Sequence, residues 1–294
     1  MIETGNLNDY KQAELRSHEL RVYALEYQKA LSRDPDGETI REMAVRRKER
    51  ILEVLNGTEQ DFNDWKWQLK NRIKDSSVLA DIIGISELER KQIDRVSKLY
   101  RWAISPYYAS LIGDDYVSSP IYRQAVPSLF ELNPTGSLDP MNEAQTSPAP
   151  CVTRRYPDRL IINVTNQCAM YCRHCQRRRN IGETDRHALR EDIIQAINYV
   201  AQNEEIRDVL ITGGDALLLN DKMLDFILFE LNRIPHVEIK RIGTRVPVTM
   251  PQRITPELCD VLRKYPPIYI NTQFNHPWEV TPEAKEACDR LIDA

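Results

Sequence analysis

Apolar positions change period along this chain. Up to about residue 110 they recur at helical spacing among many charges, as in ELRVYALEYQKAL (19–31) and TIREMAVRRKERILEVL (39–55). DFNDWKWQLKNRI (61–73) predicts one more amphipathic helix, in which Trp65 and Trp67 read as packing residues rather than as a platform for bases. Ser86 followed by Glu89 predicts a capping box opening ISELERKQIDRVSKLY (85–100), and Ser105-Pro106 breaks the pattern. Between 113 and 157 the periodicity lapses. Pro120, Pro127, Pro134, Pro140, Pro148, Pro150 and Pro157 punctuate this stretch. It reads as an extended connection wrapping the next domain, because proline fixes φ and removes a donor.

From 158 onward short apolar runs alternate with helical patterns. RLIINVT (159–165), DVLITGG (208–214), EIKRIGTR (238–245) and PIYINTQ (267–273) predict strands. REDIIQAINYVAQNEE (190–205) and DKMLDFILFELNRI (221–234) predict helices, and Thr255-Pro256 and Thr281-Pro282 predict the starts of two more. The expected organisation is an α-helical region (1–112), a Pro-rich connection (113–157) and an α/β domain (158–294) with a parallel sheet, open or closed as a barrel. The unusual residues all follow strands. A cysteine-rich loop follows the first, Gly213-Gly214-Asp215 the second, Gly243-Thr244-Arg245 the third, and Asn271, Thr272, Gln273 and Asn275 the fourth. In parallel α/β folds the C-terminal strand edge carries the site, so these groups are expected to share one mouth.

Composition narrows the classes. With 294 residues, 41% of them hydrophobic, the chain can build a sizeable core in one large domain or two ordinary ones. A net charge of −4 gives no general reason to expect a nucleic-acid or membrane partner, and the run Arg177-Arg178-Arg179 reads as a solvated patch. MIETGNLNDYKQ has no apolar leader and no stretch reaches the length of a membrane span, so a cytoplasmic, reducing location is the expectation.

The cysteines carry the chemistry. Cys168, Cys172 and Cys175 stand together in CAMYCRHC, whereas Cys151, Cys259 and Cys288 are scattered. Disulfides suit a secreted chain, which nothing here marks. Structural zinc needs a fourth ligand, and His174 sits between two cysteines, poorly placed to serve beside both. Inert buried thiols need no such spacing. An iron–sulfur cubane normally takes four thiolates, so three would leave one iron open to a substrate.

CAMYCRHC after a strand resembles the motif of the radical S-adenosylmethionine enzymes. RRYPDRLIINVTNQCAMYCRHCQRRR, ITGGDALLL, IPHVEIKRIGTRVPV, PQRITPEL and NTQFNHP resemble the lysine 2,3-aminomutase family across about residues 60–294. CQRRRNIGE, NTQFNHP and the helical extension resemble its glutamate branch more than the lysine enzymes. The resemblance implies a partial (β/α) barrel, about four of six strand–helix units, behind a helical N-terminal region. It implies a 4Fe-4S cluster on Cys168, Cys172 and Cys175 whose open iron chelates S-adenosylmethionine. Gly213, Gly214 and Asp215 would border the methionine amino group, the glycines letting backbone approach a small polar ligand. Arg155, Tyr156 and Arg159 match residues that hold pyridoxal phosphate, and Arg177 matches the partner of the substrate α-carboxylate. The implied reaction is a radical shift of an amino group from Cα to Cβ, with glutamate as the expected substrate.

The resemblance also implies that Ala294 precedes the last two units of such a barrel. The lysine that carries pyridoxal phosphate and the residues that read the substrate side chain would lie there, so no catalytic residue is assigned in this chain. Several alternatives stay open: lysine as substrate, another radical S-adenosylmethionine reaction, an inactive fragment, or a non-catalytic assembly module that holds no iron. The expected partners are a small amino acid, an electron donor such as a flavodoxin or ferredoxin, and further copies of the chain in a homo-oligomer.

Overall fold

The computed structural model describes residues 7–31, 37–133 and 135–294. Residues 1–6 and 32–36, part of the expected helical region, and Pro134 lie outside the described residues. The chain forms two compact units, Met1–Glu42 and Met43–Ala294. The first contains one long helix, Leu7–Leu31, whose described side chains are exposed. Among the described residues no helix is long and apolar enough to cross a membrane.

In the second unit the helix expected over 61–73 is two helices, Glu59–Asn63 and Trp65–Lys70. Asp64 separates them. Its backbone is extended (φ −89°, ψ 115°) and its carboxylate accepts the Lys66 N–H at 3.0 Å, so a short polar side chain competes successfully with the helix. Ser86 forms the expected capping box, its hydroxyl accepting from Glu89 N–H at 3.2 Å while Glu89 accepts from Ser86 N–H at 2.9 Å.

The Pro-rich stretch is more than an extended connection. It holds a helix, Pro120–Ala125, two 3-10 turns, Leu129–Leu132 and Glu143–Thr146, and a two-residue strand, β1 (Val152–Thr153). The serines supply the reason. Ser119 caps a helix with proline at its first position, and Ser128 forms a capping box with Glu131.

Four parallel strands follow: β2 (Arg159–Thr165), β3 (Asp208–Gly213), β4 (Ile239–Gly243) and β5 (Ile268–Asn271). β1 pairs antiparallel with β2, and the order across the sheet is β1-β2-β3-β4-β5. Each crossover therefore moves one place in the same direction. That is the barrel progression, whereas a doubly wound sheet reverses at a switch point.

β2 and β3 bury Leu160, Ile162, Val164, Val209 and Ile211. Against them pack Ile193, Ala196 and Val200 of the helix Arg190–Gln202, and Leu224, Ile227, Leu228 and Leu231 of the helix Asp221–Asn232. These residues recur at three- and four-residue intervals, the apolar stripe that fixes each helix on the sheet. β5 is half-exposed along its length and lies at the sheet edge, with Tyr269 exposed. All four parallel strands end at the same side of the sheet, and the residues following them build the site.

Candidate active site

The loop after β2 is fixed from several directions. Ala169, Met170 and Tyr171, between the first two cysteines, are buried and act as its apolar plug. Tyr171 N–H donates to Ala103 O at 3.1 Å, and Arg173 N–H to Gln124 O at 2.8 Å. Arg72 donates to the Cys168 carbonyl at 2.6 Å and pairs with Asp185, which also accepts from the Tyr171 hydroxyl at 2.5 Å. Burial alone would raise the Asp185 carboxyl. Hydrogen bonds from Tyr171 and Arg72, with the Arg72 charge, hold it down at about 2. Neither Arg72 nor Asp185 was singled out from sequence, because nothing local marks a clamp whose halves lie 113 positions apart.

With the backbone held this way, Cys168, Cys172 and Cys175 line one cavity of about 310 Å³. Gly213, Gly214, Asp215, Thr244, Arg245, Asn271, Thr272 and Gln273 complete its wall, so the ends of all four parallel strands meet there. The Cys168 thiol is pushed well up by burial, then by Asp215 and the two neighbouring thiols, and burial also raises Cys175. His174 points elsewhere, within 3.4 Å of the Asn275 side chain.

The packing of the protein itself requires both glycines. A Cβ on Gly213 would run into the Thr165 carbonyl, and one on Gly214 into the Gln167 carbonyl. Gly213 also has φ +135°, a conformation that strains any L side chain. β3 thus ends pressed against the exit of β2. Asp215 N–H donates to Gln167 O at 2.8 Å, and the Asp215 carboxylate accepts from Thr244 Oγ1 at 2.6 Å and Arg245 N–H at 2.7 Å. Burial raises its pKa despite these donors. The buried Asp215 ties the ends of β2, β3 and β4 together.

Arg245 carries the main charge at the mouth. Its guanidinium donates to Cys172 Sγ at 3.0 Å and to Glu279 at 2.8 Å. Burial would lower its pKa, but Cys172, Tyr108 and Glu279 together drive it up. Glu279 is fully buried and also accepts from Tyr108 Oη at 2.6 Å and Asn275 N–H at 2.5 Å. In the sequence Arg245 is marked only as a strand end, and Glu279, which follows a proline and a tryptophan, carries no local signal of burial.

The basic run is not a solvated patch. Arg177 meets Glu143 in two bonds of 3.1 Å, Arg178 meets Glu131 at 2.8 Å, and Arg179 meets Asp139 at 3.3 Å. All three acids come from the Pro-rich stretch, which reaches back over the cysteine loop and matches each guanidinium with a carboxylate. Arg177 lies on the cavity wall, and Glu143 is buried behind it. Arg155, Tyr156 and Arg159 are placed differently. They are exposed, with Arg159 opening β2 at the end opposite the cysteine loop and its guanidinium 5.0 Å from the Tyr156 ring centre. They do not line the cavity.

The donor set fits an iron–sulfur cluster. Among the described residues no three side chains converge to hold a single ion. A cubane asks less convergence, because it takes each thiolate on a different iron. Three thiols line one cavity, and a guanidinium is hydrogen-bonded to one of them. The residues expected for pyridoxal phosphate do not fit this cavity, since they stand at the other end of β2.

Comparison with known proteins agrees. A profile of the radical SAM superfamily matches residues 162–289. The chain is 57% identical over 250 residues to glutamate 2,3-aminomutase of Clostridioides difficile, covering 85% of this chain and 59% of the relative. It is 50% identical over 241 residues to L-lysine 2,3-aminomutase of Fusobacterium nucleatum (81% and 57% covered). Against L-lysine 2,3-aminomutase of Clostridium subterminale it is 46% identical over 239 residues (81% and 58%). The chain thus spans under three-fifths of the length of these relatives.

Proposed function

Since the chain belongs to the lysine 2,3-aminomutase family of radical S-adenosylmethionine proteins, we propose that it moves the amino group of an α-amino acid, L-glutamate, from Cα to Cβ. The observation that carries this reading is the placing of Cys168, Cys172 and Cys175 in one cavity with Arg177 on its wall. The glutamate assignment is supported by the 57% identity to a glutamate 2,3-aminomutase, against 50% and 46% for the two lysine enzymes.

A 4Fe-4S cluster with one iron free of protein sulfur would supply the electron that splits bound S-adenosylmethionine. The thiols of Cys168, Cys172 and Cys175 would hold it after losing their protons, which the burial of Cys168 and Cys175 opposes until the metal is present. Arg245 would keep its hydrogen bond to the Cys172 sulfur and so help set the cluster potential. Arg177 would take the substrate carboxylate bidentately by exchanging it for Glu143. The buried Met170 and Tyr171 and the close β2–β3 contact would keep water from the reacting space. The electron would come from a flavodoxin- or ferredoxin-type carrier. Pyridoxal phosphate enters this reading through the family alone.

The test is anaerobic reconstitution with iron, sulfide and pyridoxal phosphate, then L-glutamate, S-adenosylmethionine and a reductant. Formation of β-glutamate is expected; turnover of lysine but not glutamate would overturn the substrate. A second reading, radical S-adenosylmethionine chemistry without an amino shift, is favoured by the position of Arg155, Tyr156 and Arg159 away from the cavity. Cleavage of S-adenosylmethionine with no pyridoxal phosphate absorbance in the purified protein would select it.

A further inference from the structure

A second cavity, of about 680 Å³, lies on the other side of the cysteine loop. Of the three thiols only Cys172 lines it, so this residue forms part of the wall of both cavities. The charge here is distinctive. Four guanidinium groups, of Arg72, Arg101, Arg173 and Arg178, share two carboxylates, Asp185 and Glu131. Two positive charges are left over, and the exposed Lys74 and Lys98 on the rim outnumber the exposed Glu183 beside them. This local excess stands on a chain whose net charge is −4. The rim also carries two large exposed aliphatic side chains, Leu99 (69% exposed) and Leu138 (53% exposed).

We propose that this face is the docking surface for an acidic one-electron carrier protein, which delivers its electron through the Cys172 wall. The inference rests on the cluster reading of the preceding section. Each of the four guanidiniums is already engaged by an internal carboxylate, so no pre-set fork awaits a small phosphate. The surplus acts as a field, and a field is read by a distributed acidic surface. The exposed leucines give such a partner an apolar contact that a small anion could not use. The electron also arrives from the side away from the strand-end cavity, so the carrier need not open the space that holds the substrate. The step transfers no atoms: the carrier loses one electron and the cluster gains it.

The test compares the reconstituted wild type with Lys74→Glu/Lys98→Glu, two exposed changes that leave the four guanidiniums and their carboxylates in place. The probe is a flavodoxin reduced to its hydroquinone. At low ionic strength the second-order rate of cluster reduction, followed by absorbance and paramagnetic resonance, should fall by roughly 10-fold or more in the variant. Binding of the oxidised flavodoxin, measured by titration calorimetry, should weaken in parallel, and added salt should shrink both differences. Dithionite should reduce both proteins equally. Equal rates and equal binding with flavodoxin would overturn the proposal, as would a changed oligomeric state accounting for the loss, since the face would then meet another copy of the chain. If dithionite finds no reducible cluster in the wild type, the functional reading fails instead, and the titration still reports on docking.

Discussion

The cysteine loop separates two cavities of opposite design. On the strand-end side the polar groups are drawn inward and satisfied one by one: Asp215 by Thr244 and Arg245, and Glu279 by Arg245, Tyr108 and Asn275. On the far side four largely buried guanidiniums share two carboxylates, which leaves net positive charge beneath a rim that carries the exposed Lys74 and Lys98. One side has the order that positions reactants, the other the field that gathers a partner. A single loop serves both because its plug, Ala169 to Tyr171, is buried while its thiols stay at the surface of a cavity.

The contrast can be broken most severely at the shared residue. Cys172→Ala should abolish cluster assembly, read as loss of bound iron and of visible absorbance after reconstitution, while flavodoxin binding persists. Retention of a stable cluster would remove Cys172 from the ligand set.

Arg177→Ala strikes only the strand-end side. It should leave the cluster spectrum intact and weaken substrate binding by about 2–5 kcal/mol, the range for losing one partner of a buried charge pair. It also strands the buried Glu143, so the fold should lose stability. Adding Glu143→Gln should restore stability but not affinity. If both return together, Arg177 is an internal strut and nothing more.

Gly214→Ala places a methyl against the Gln167 carbonyl and should cost about 1–3 kcal/mol in urea unfolding, with the cysteine loop displaced. A neutral result would mean that the β2–β3 contact is looser than its geometry implies.

The smallest effect concerns acid. The Asp185 carboxyl sits at about 2, below its ordinary 3.8, so its contribution to stability is present above about pH 4 and is lost as pH falls from there towards 2. Asp185→Asn should therefore flatten the pH dependence of unfolding in that window. Parallel curves for variant and wild type would show that the Arg72 clamp adds nothing to folding.

Much of this arrangement was legible in the chain. Short apolar runs placed the strands, and threonine–proline pairs placed the last two helices, because each signal is local. The break at Asp64 was not seen, since an aspartate inside an amphipathic run is a cap only when its carboxylate captures a nearby N–H. Glycine at 213 and 214 was legible as a close backbone approach, and the structure adds that the exit of β2 fills the space a Cβ would need.

The sequence by itself determined which thiols stand together and that the strand ends would gather, because spacing along a loop and the alternation of strands with helices are one-dimensional facts. Only the tertiary structure decided which charges meet. Arg72 finds Asp185, Arg177 finds Glu143 and Arg245 finds Glu279 across 34 to 113 positions. A Coulomb pairing depends on distance in space, and no local pattern records it.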